Sequence, residues 1–177
     1  KTSLGLGILR LIESEGPILY LGKRIDNIST QELKPLRKNL QIVFQDPYSS
    51  LSPRLSLRDI VAEGLELHES HLTPEEVDER VRQALEEVGL DPEWMRRYPH
   101  EFSGGQRQRI SLARVQVLKP TFVILDEPTS ALDMSVQAQI VDLLRALQQK
   151  HKMSYLFISH DLAVVRSLCH SVIVMKD

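Results

Sequence analysis

Residues 121–125, Thr-Phe-Val-Ile-Leu, form an apolar run that begins after Pro120 and stops on two adjacent carboxylates, Asp126 and Glu127. A short run without polar alternation reads as a strand buried on both faces, as in parallel sheets covered by helices. The fold class that follows is α/β. Open sheets of this class take ligands outside the carboxyl ends of their strands, which is where Asp126 and Glu127 emerge. Successive strand side chains point to opposite faces, so the two acids can divide the labour around a magnesium phosphate. One would hold Mg2+ and the other address an attacking water. Alone, such a pair is an ordinary solvated strand end; its weight comes from the rest of the chain.

Lys1-Thr2 opens the chain and runs into an apolar, helix-like segment, Ser3-Leu-Gly-Leu-Gly-Ile-Leu9, with no further charge before Arg10. In a G-x-x-x-x-G-K-[ST] phosphate loop the Lys reaches the β- and γ-phosphates, the hydroxyl binds Mg2+, and a helix N-terminus faces the anion. Lys1 and Thr2 fit the tail of such a loop, whose glycines are absent from the chain. Ser103-Gly-Gly-Gln106 sets two glycines at a helix start, where unpaired N–H groups and the positive end of the helix dipole favour an anion. The same residues fit an ordinary Ser N-cap with glycines in the turn. Tyr155-Leu-Phe-Ile158 reads as a strand delivering Ser159-His160-Asp161 to the edge that carries Asp126. His68-Glu-Ser-His71 stands without cysteine or i,i+4 spacing and reads as a solvated loop, not a metal site.

Around these motifs the flanks alternate strand and helix while the middle third reads as helical. Pro17-Ile-Leu-Tyr-Leu21 is a short strand closed by Gly22-Lys23, and Ser29-Thr-Gln-Glu32 has capping-box spacing for a helix that Pro35 limits. Asn39-Leu-Gln-Ile-Val-Phe44 is the next strand, followed directly by Gln45. A Pro/Ser loop extends to Ser56, an amphipathic segment covers 57–67, and Thr73-Pro-Glu-Glu76 caps a helix that Gly89 ends. Asp91-Pro92 starts a further turn carrying Trp94 and Tyr98, which fit either a core or a contact surface. Helices are expected from Gly104 to about Leu118 and from Ser135 to Lys150.

At 177 residues the chain is long enough for one domain with a substantial core, and its formal net charge of -2 gives no polyelectrolyte signal for nucleic acid. No apolar run approaches the ~18 residues of a membrane span, and nothing resembles a secretory leader. The chain therefore reads as soluble, meeting a membrane only through a partner. A single cysteine, Cys169, excludes an internal disulfide, fits a reducing compartment and reads as a buried small hydrophobe. The chain opens on Lys, and residues 171–177 read as an apolar strand with no turn after it. The expectation is a piece truncated at both ends, lacking the strand before the phosphate loop and binding ATP poorly alone.

With these motifs in order, the chain resembles the nucleotide-binding domain of ATP-binding cassette (ABC) transporters nearly end to end. Lys1-Thr2 is similar to the end of Walker A, Gln45 to the Q-loop, and Ser103-Gly-Gly-Gln106 to the family signature. Ile124-Leu-Asp-Glu127 is similar to Walker B, Ser130-Ala-Leu-Asp133 to the D-loop, and His160 to the switch histidine. Val43-Phe-Gln-Asp-Pro-Tyr-Ser-Ser-Leu-Ser-Pro-Arg54 and Tyr98-Pro-His-Glu-Phe-Ser-Gly-Gly-Gln-Arg-Gln-Arg-Ile110 resemble the branch that powers bacterial uptake of dipeptides, oligopeptides and nickel, with the microcin C type importers. Two departures stand out: Phe102 replaces the Leu of the general signature, as is usual in the peptide branch, and Val115-Gln116 occupies positions where small residues are commoner.

The resemblance implies a phosphate-loop NTPase core with a mostly parallel sheet over 1–45 and 119–177, and an inserted α-helical subdomain over 46–118. It implies ATP and Mg2+ as cofactors, with Thr2, Gln45 and Asp126 toward the metal. Lys1, Thr2, Ser103, Gly104, Gly105, Gln106 and Asp133 would contact nucleotide, and Glu127, His160 and Gln45 would carry catalysis. The signature of one subunit would contact the γ-phosphate held by the other, so the partners are a second cassette in a head-to-tail dimer and transmembrane permease subunits. The segment after Gln45, with Tyr48, would touch the permease, and a periplasmic solute-binding protein would act indirectly. The expected location is the cytoplasmic face of the bacterial inner membrane. A rival reading is a soluble ABC ATPase acting on nucleic acid or ribosomes. Such proteins interrupt the cassette with coiled coils or basic arms, which this chain lacks.

Overall fold

The computed structural model describes residues 1–175, with the side chain of Tyr48 outside the described set. Helix α1 (Thr2–Ile8) leads into a small antiparallel hairpin, β1 (Leu19–Tyr20) and β2 (Lys23–Arg24), then α2 (Thr30–Leu33), a 3-10 turn over Lys34–Lys38, and β3 (Leu40–Val43). Next come α3 (Pro47–Ser50), α4 (Leu57–His68), α5 (Pro74–Glu87), 3-10 turns over Pro92–Arg96 and Pro99–Glu101, and α6 (Gly104–Gln116). The chain returns through β4 (Phe122–Asp126), α7 (Met134–His151), β5 (Ser154–Ile158) and α8 (Leu162–Leu168).

Strands β3, β4 and β5 form a parallel sheet in that order, with Val43 opposite Leu125 and Asp126 opposite Ile158. Both faces are covered, as the unbroken apolar run of β4 requires. Ile124 faces a cluster with Leu9, Ile25, Leu40 and Ile158, while Val123 and Leu125 face the opposite, larger cluster with α4, α6 and α7. Helix α1 packs directly on β4: a Cβ at Gly5 would lie 3.2 Å from Ile124 Cγ2. The larger cluster is continuous from Leu57 and Ile60 of α4, through Ile110 of α6 and Leu125, to Leu144 of α7, so helices and sheet share one core.

Local chemistry sets the boundaries. Ser29 with Glu32, Thr73 with Glu76, and Ser103 with Gln106 each close a reciprocal capping box. Gly89, at φ +71°, turns the chain out of α5 in a conformation that suits glycine. Lys38 reaches Glu69 at 3.1 Å, joining the turn before β3 to the end of α4.

Two expectations are corrected. The Pro/Ser segment after Gln45 is not all loop, because residues 47–50 form the one-turn helix α3 with Pro47 at its start, where the missing N–H costs nothing. No strand forms over 171–175, where Ile173 and Val174 are 83% and 89% exposed. An apolar segment becomes a strand only where a neighbour accepts its backbone hydrogen bonds, and none pairs with it among the described residues. Lys176 and Asp177 lie outside those residues.

Candidate active site

The parallel register brings three strand ends to one edge, and each is followed by a polar side chain. Gln45 follows β3, Glu127 follows β4 and His160 follows β5. Gln45 Nε2 donates to Glu127 Oε2 at 3.1 Å, and His160 Nδ1 lies 3.2 Å from Glu127 Oε1. The carboxylate at the end of the central strand is thus held from both sides.

Glu127 does not continue the strand. Its φ is +46°, a left-handed conformation rare for a residue with a Cβ and costing on the order of 1–3 kcal/mol. Surrounding bonds enforce it: its N–H donates to Ile158 O at 2.9 Å, and its carbonyl accepts from Ser130 N at 3.2 Å and Ser130 Oγ at 3.1 Å. The chain thus leaves β4 through a left-handed residue at Glu127 itself.

Asp126 is buried, 3% exposed, and its Oδ1 has no hydrogen-bond partner. A buried carboxylate oxygen without a partner is costly, so this atom is suited to a cation. It borders the same cleft as Thr2 and Gln45, which add a hydroxyl and an amide oxygen. Few protein oxygens, with water and phosphate completing the shell, is the way Mg2+ is held, and the residues present fit it. Among the described residues no group of three or more His, Cys, Asp or Glu could hold a metal.

Lys1 sits at the same edge, its ammonium 3.5 Å from Ser159 O. Asp161 caps α8, accepting from Ala163 N at 2.8 Å and Val164 N at 3.2 Å, and those backbone bonds hold its carboxyl below the usual range. Sequence reasoning missed Gln137, whose Nε2 donates to Thr129 Oγ1 at 3.2 Å and Asp161 Oδ2 at 3.3 Å. It ties the turn after β4 to the helix after β5. On an amphipathic helix a glutamine is an ordinary polar position, so no sequence signal marked it.

Ser103, Gly104, Gly105 and Gln106 form the first turn of α6 and its cap, away from this cluster. Ser103 N donates to Gln106 Oε1 at 2.9 Å and Gln106 N to Ser103 Oγ at 3.3 Å. Among the described residues, no hydrogen bond or ion pair joins them to Asp126, Glu127 or His160. Asp133 caps α7, accepting from Val136 N at 3.0 Å, Ser135 N at 3.1 Å and Ser135 Oγ at 2.7 Å, and these bonds lower its carboxyl pKa.

Of the remaining candidates, most pack inside the fold and Tyr98 does not. Phe102 is buried with its ring 5.7 Å from that of Trp94, which also takes Arg97 on its face, so Trp94 belongs to the core. Tyr98 is 42% exposed beside His100. Gln116 is buried and donates to Glu87 Oε2 at 3.3 Å. Cys169 is half-buried, and burial pushes its thiol pKa up.

Three polar side chains thus meet at neighbouring strand ends of a parallel sheet, with a capped glycine turn apart from them. The ABC transporter family model matches residues 1–130, and the chain belongs to that family. It is 65% identical over 176 residues to the peptidoglycan transport ATP-binding protein YejF of Agrobacterium fabrum, covering 99% of this chain and 32% of that protein. It is 48% identical over 176 residues to the oligopeptide transport ATP-binding protein OppF of Haemophilus influenzae, covering 99% and 53%. The chain thus spans about a third to a half of these curated relatives. Among solved structures, the dimeric post-hydrolysis ATP-binding cassette MJ0796 bound to ADP and Pi superposes with a TM-score of 0.81 at 26% identity, covering 94% of this chain and 72% of that one. The structure of cbiO1 from Clostridium perfringens, part of the ABC transporter complex cbiONQ, superposes with a TM-score of 0.83 at 31% identity, covering 95% and 65%. Among the described residues no helix is long and apolar enough to cross a membrane.

Proposed function

We propose that this chain is the ATP-hydrolysing part of a bacterial ABC importer taking up oligopeptides, dipeptides or related solutes. The observation that carries the reading is the Glu127 carboxylate held between Gln45 and His160 at the ends of three neighbouring strands. A carboxylate fixed there is oriented to accept a hydrogen bond from the water that attacks a γ-phosphate, giving ADP and inorganic phosphate. His160 would contact the γ-phosphate, Gln45 would sense cation and water, and Lys1 would lie against the phosphates. Asp126, with Thr2 and Gln45, would hold Mg2+, which would supply neutralisation of charge on the phosphate oxygens. Phosphoryl transfer needs little covalent help, so these residues act through position and charge.

Within the same reading, Ser103, Gly104, Gly105, Gln106 and Asp133 complete the site of a second cassette, and residues 46–118 act as a helical subdomain between core segments 1–45 and 119–177. The dimeric form of the cassette MJ0796 supports the pairing of two cassettes, which this reading arranges head to tail. The place of cbiO1 in the ABC transporter complex cbiONQ supports a permease partner, which would hold this chain at the cytoplasmic face of the inner membrane. The name of the oligopeptide transport relative supports a peptide-like solute over the nucleic-acid or ribosome alternative. Uptake of a labelled oligopeptide by cells carrying the intact protein or its Glu127→Gln form tests this. Loss of uptake in the variant, at equal protein level, is expected; undiminished uptake overturns the reading.

A further inference from the structure

Gly105 is the second residue of a helix and does not have a positive φ, so its backbone asks for no glycine. Alanine is the better helix former at such a position. Space supplies the reason. A Cβ on Gly105 would lie 2.6 Å from Val136 Cγ1, 3.8 Å from its Cβ and 3.9 Å from its Cγ2, closer at the first than real carbon atoms come. The adjacent Gly104 differs: its Cβ would meet only Leu132 Cδ2, at an ordinary 3.9 Å. Of the two glycines, packing within the chain requires the second.

We infer that Val136 is a positioning residue for the Ser103-Gly104-Gly105-Gln106 turn, its branched side chain seated where Gly105 lacks a Cβ and fixing where α6 begins relative to the 130–133 turn. Val136 cannot easily yield, because a β-branched residue in a helix is held to one χ1 well and its own N–H is tied to the Asp133 cap at 3.0 Å. One turn further along, Arg109 extends the seam, donating to Gln139 Oε1 on α7 at 3.2 Å and to Val88 O at 2.6 Å. The turn after β4 and the glycine turn of α6 thus form one packed unit. In the proposed composite site, which this inference rests on, that unit presents the glycine turn to the ATP of the second cassette at a height set by Val136.

The test uses the intact protein in a Glu127→Gln background and reads the ATP concentration for half-maximal dimerisation by light scattering, with ATP affinity of the monomer measured alongside. Gly105→Ala is expected to raise that concentration about tenfold at unchanged monomer affinity, and Gly105→Ala/Val136→Ala to bring it back to within about threefold of the parent, since removing Cγ1 makes room for the new Cβ. A double variant as impaired as Gly105→Ala, or a Gly105→Ala protein that dimerises like the parent, overturns the inference while the composite-site reading stands. A parent that never dimerises with ATP overturns that reading, and the inference with it.

Discussion

His160 Nδ1 stands 3.2 Å from Glu127 Oε1 across the ends of two adjacent parallel strands, so the ring and the carboxylate are oriented by the sheet itself. A group placed to meet charge that develops during phosphoryl transfer contributes mainly to kcat. His160→Ala in the intact protein is therefore expected to lower kcat for ATP hydrolysis about 100-fold with KM for ATP nearly unchanged. Steady-state phosphate release checks it, and a change confined to KM would make His160 a binding residue only.

Phe102 tests the packing behind the glycine turn. Its ring lies tilted at 53° to Trp94, and leucine there keeps apolar volume but loses the ring contact. Phe102→Leu should cost about 1 kcal/mol in stability. Denaturant unfolding measures it; no loss would mean that the Trp94 contact is replaced by repacking.

Glu87, the last residue of α5, ties that helix to α7, accepting from Lys150 at 2.9 Å and His151 Nε2 at 2.8 Å. Burial opposes its ionisation, but hydrogen bonds from Lys150 and His151 prevail and hold its pKa below the ordinary 4.5. As pH falls through that range the unfolded chain takes up the proton first, so this stabilisation is present above 4.5 and fades toward the lower folded value. Glu87→Gln should lower the thermal midpoint at neutral pH, and the gap from the parent should close in acid. A gap that persists unchanged in acid would show that packing, not charge, holds the contact.

The sequence made the site legible where function needs a residue type at the end of an apolar run. Asp126 ends, and Glu127 and His160 follow, strands whose hydrophobic pattern is unmistakable, and the capping boxes at Ser29, Thr73 and Ser103 are local chemistry read over four positions. What sequence did not yield depends on neighbours distant along the chain. The left-handed turn at Glu127 is enforced by Ile158 and Ser130, the Gln137 link needs Thr129 and Asp161 together, and Gly105 is explained only by Val136. The segment 171–175 failed for the same reason: hydrophobic composition proposes a strand, but a pairing partner makes one.

The most direct test of the account concerns Glu127 and a second copy of the cassette. Exchanging its carboxylate for an amide keeps size and shape but removes the charge that activates water, so ATP should bind, remain uncleaved and be held between two cassettes. Size-exclusion chromatography of the intact Glu127→Gln protein, with and without ATP and Mg2+, makes the measurement. The account predicts a monomer without nucleotide and a dimer with ATP, with hydrolysis reduced at least about 100-fold. A protein that stays monomeric at saturating ATP, or hydrolyses it at the parent rate, would contradict the roles given to Glu127 and to the Ser103-Gly104-Gly105-Gln106 turn.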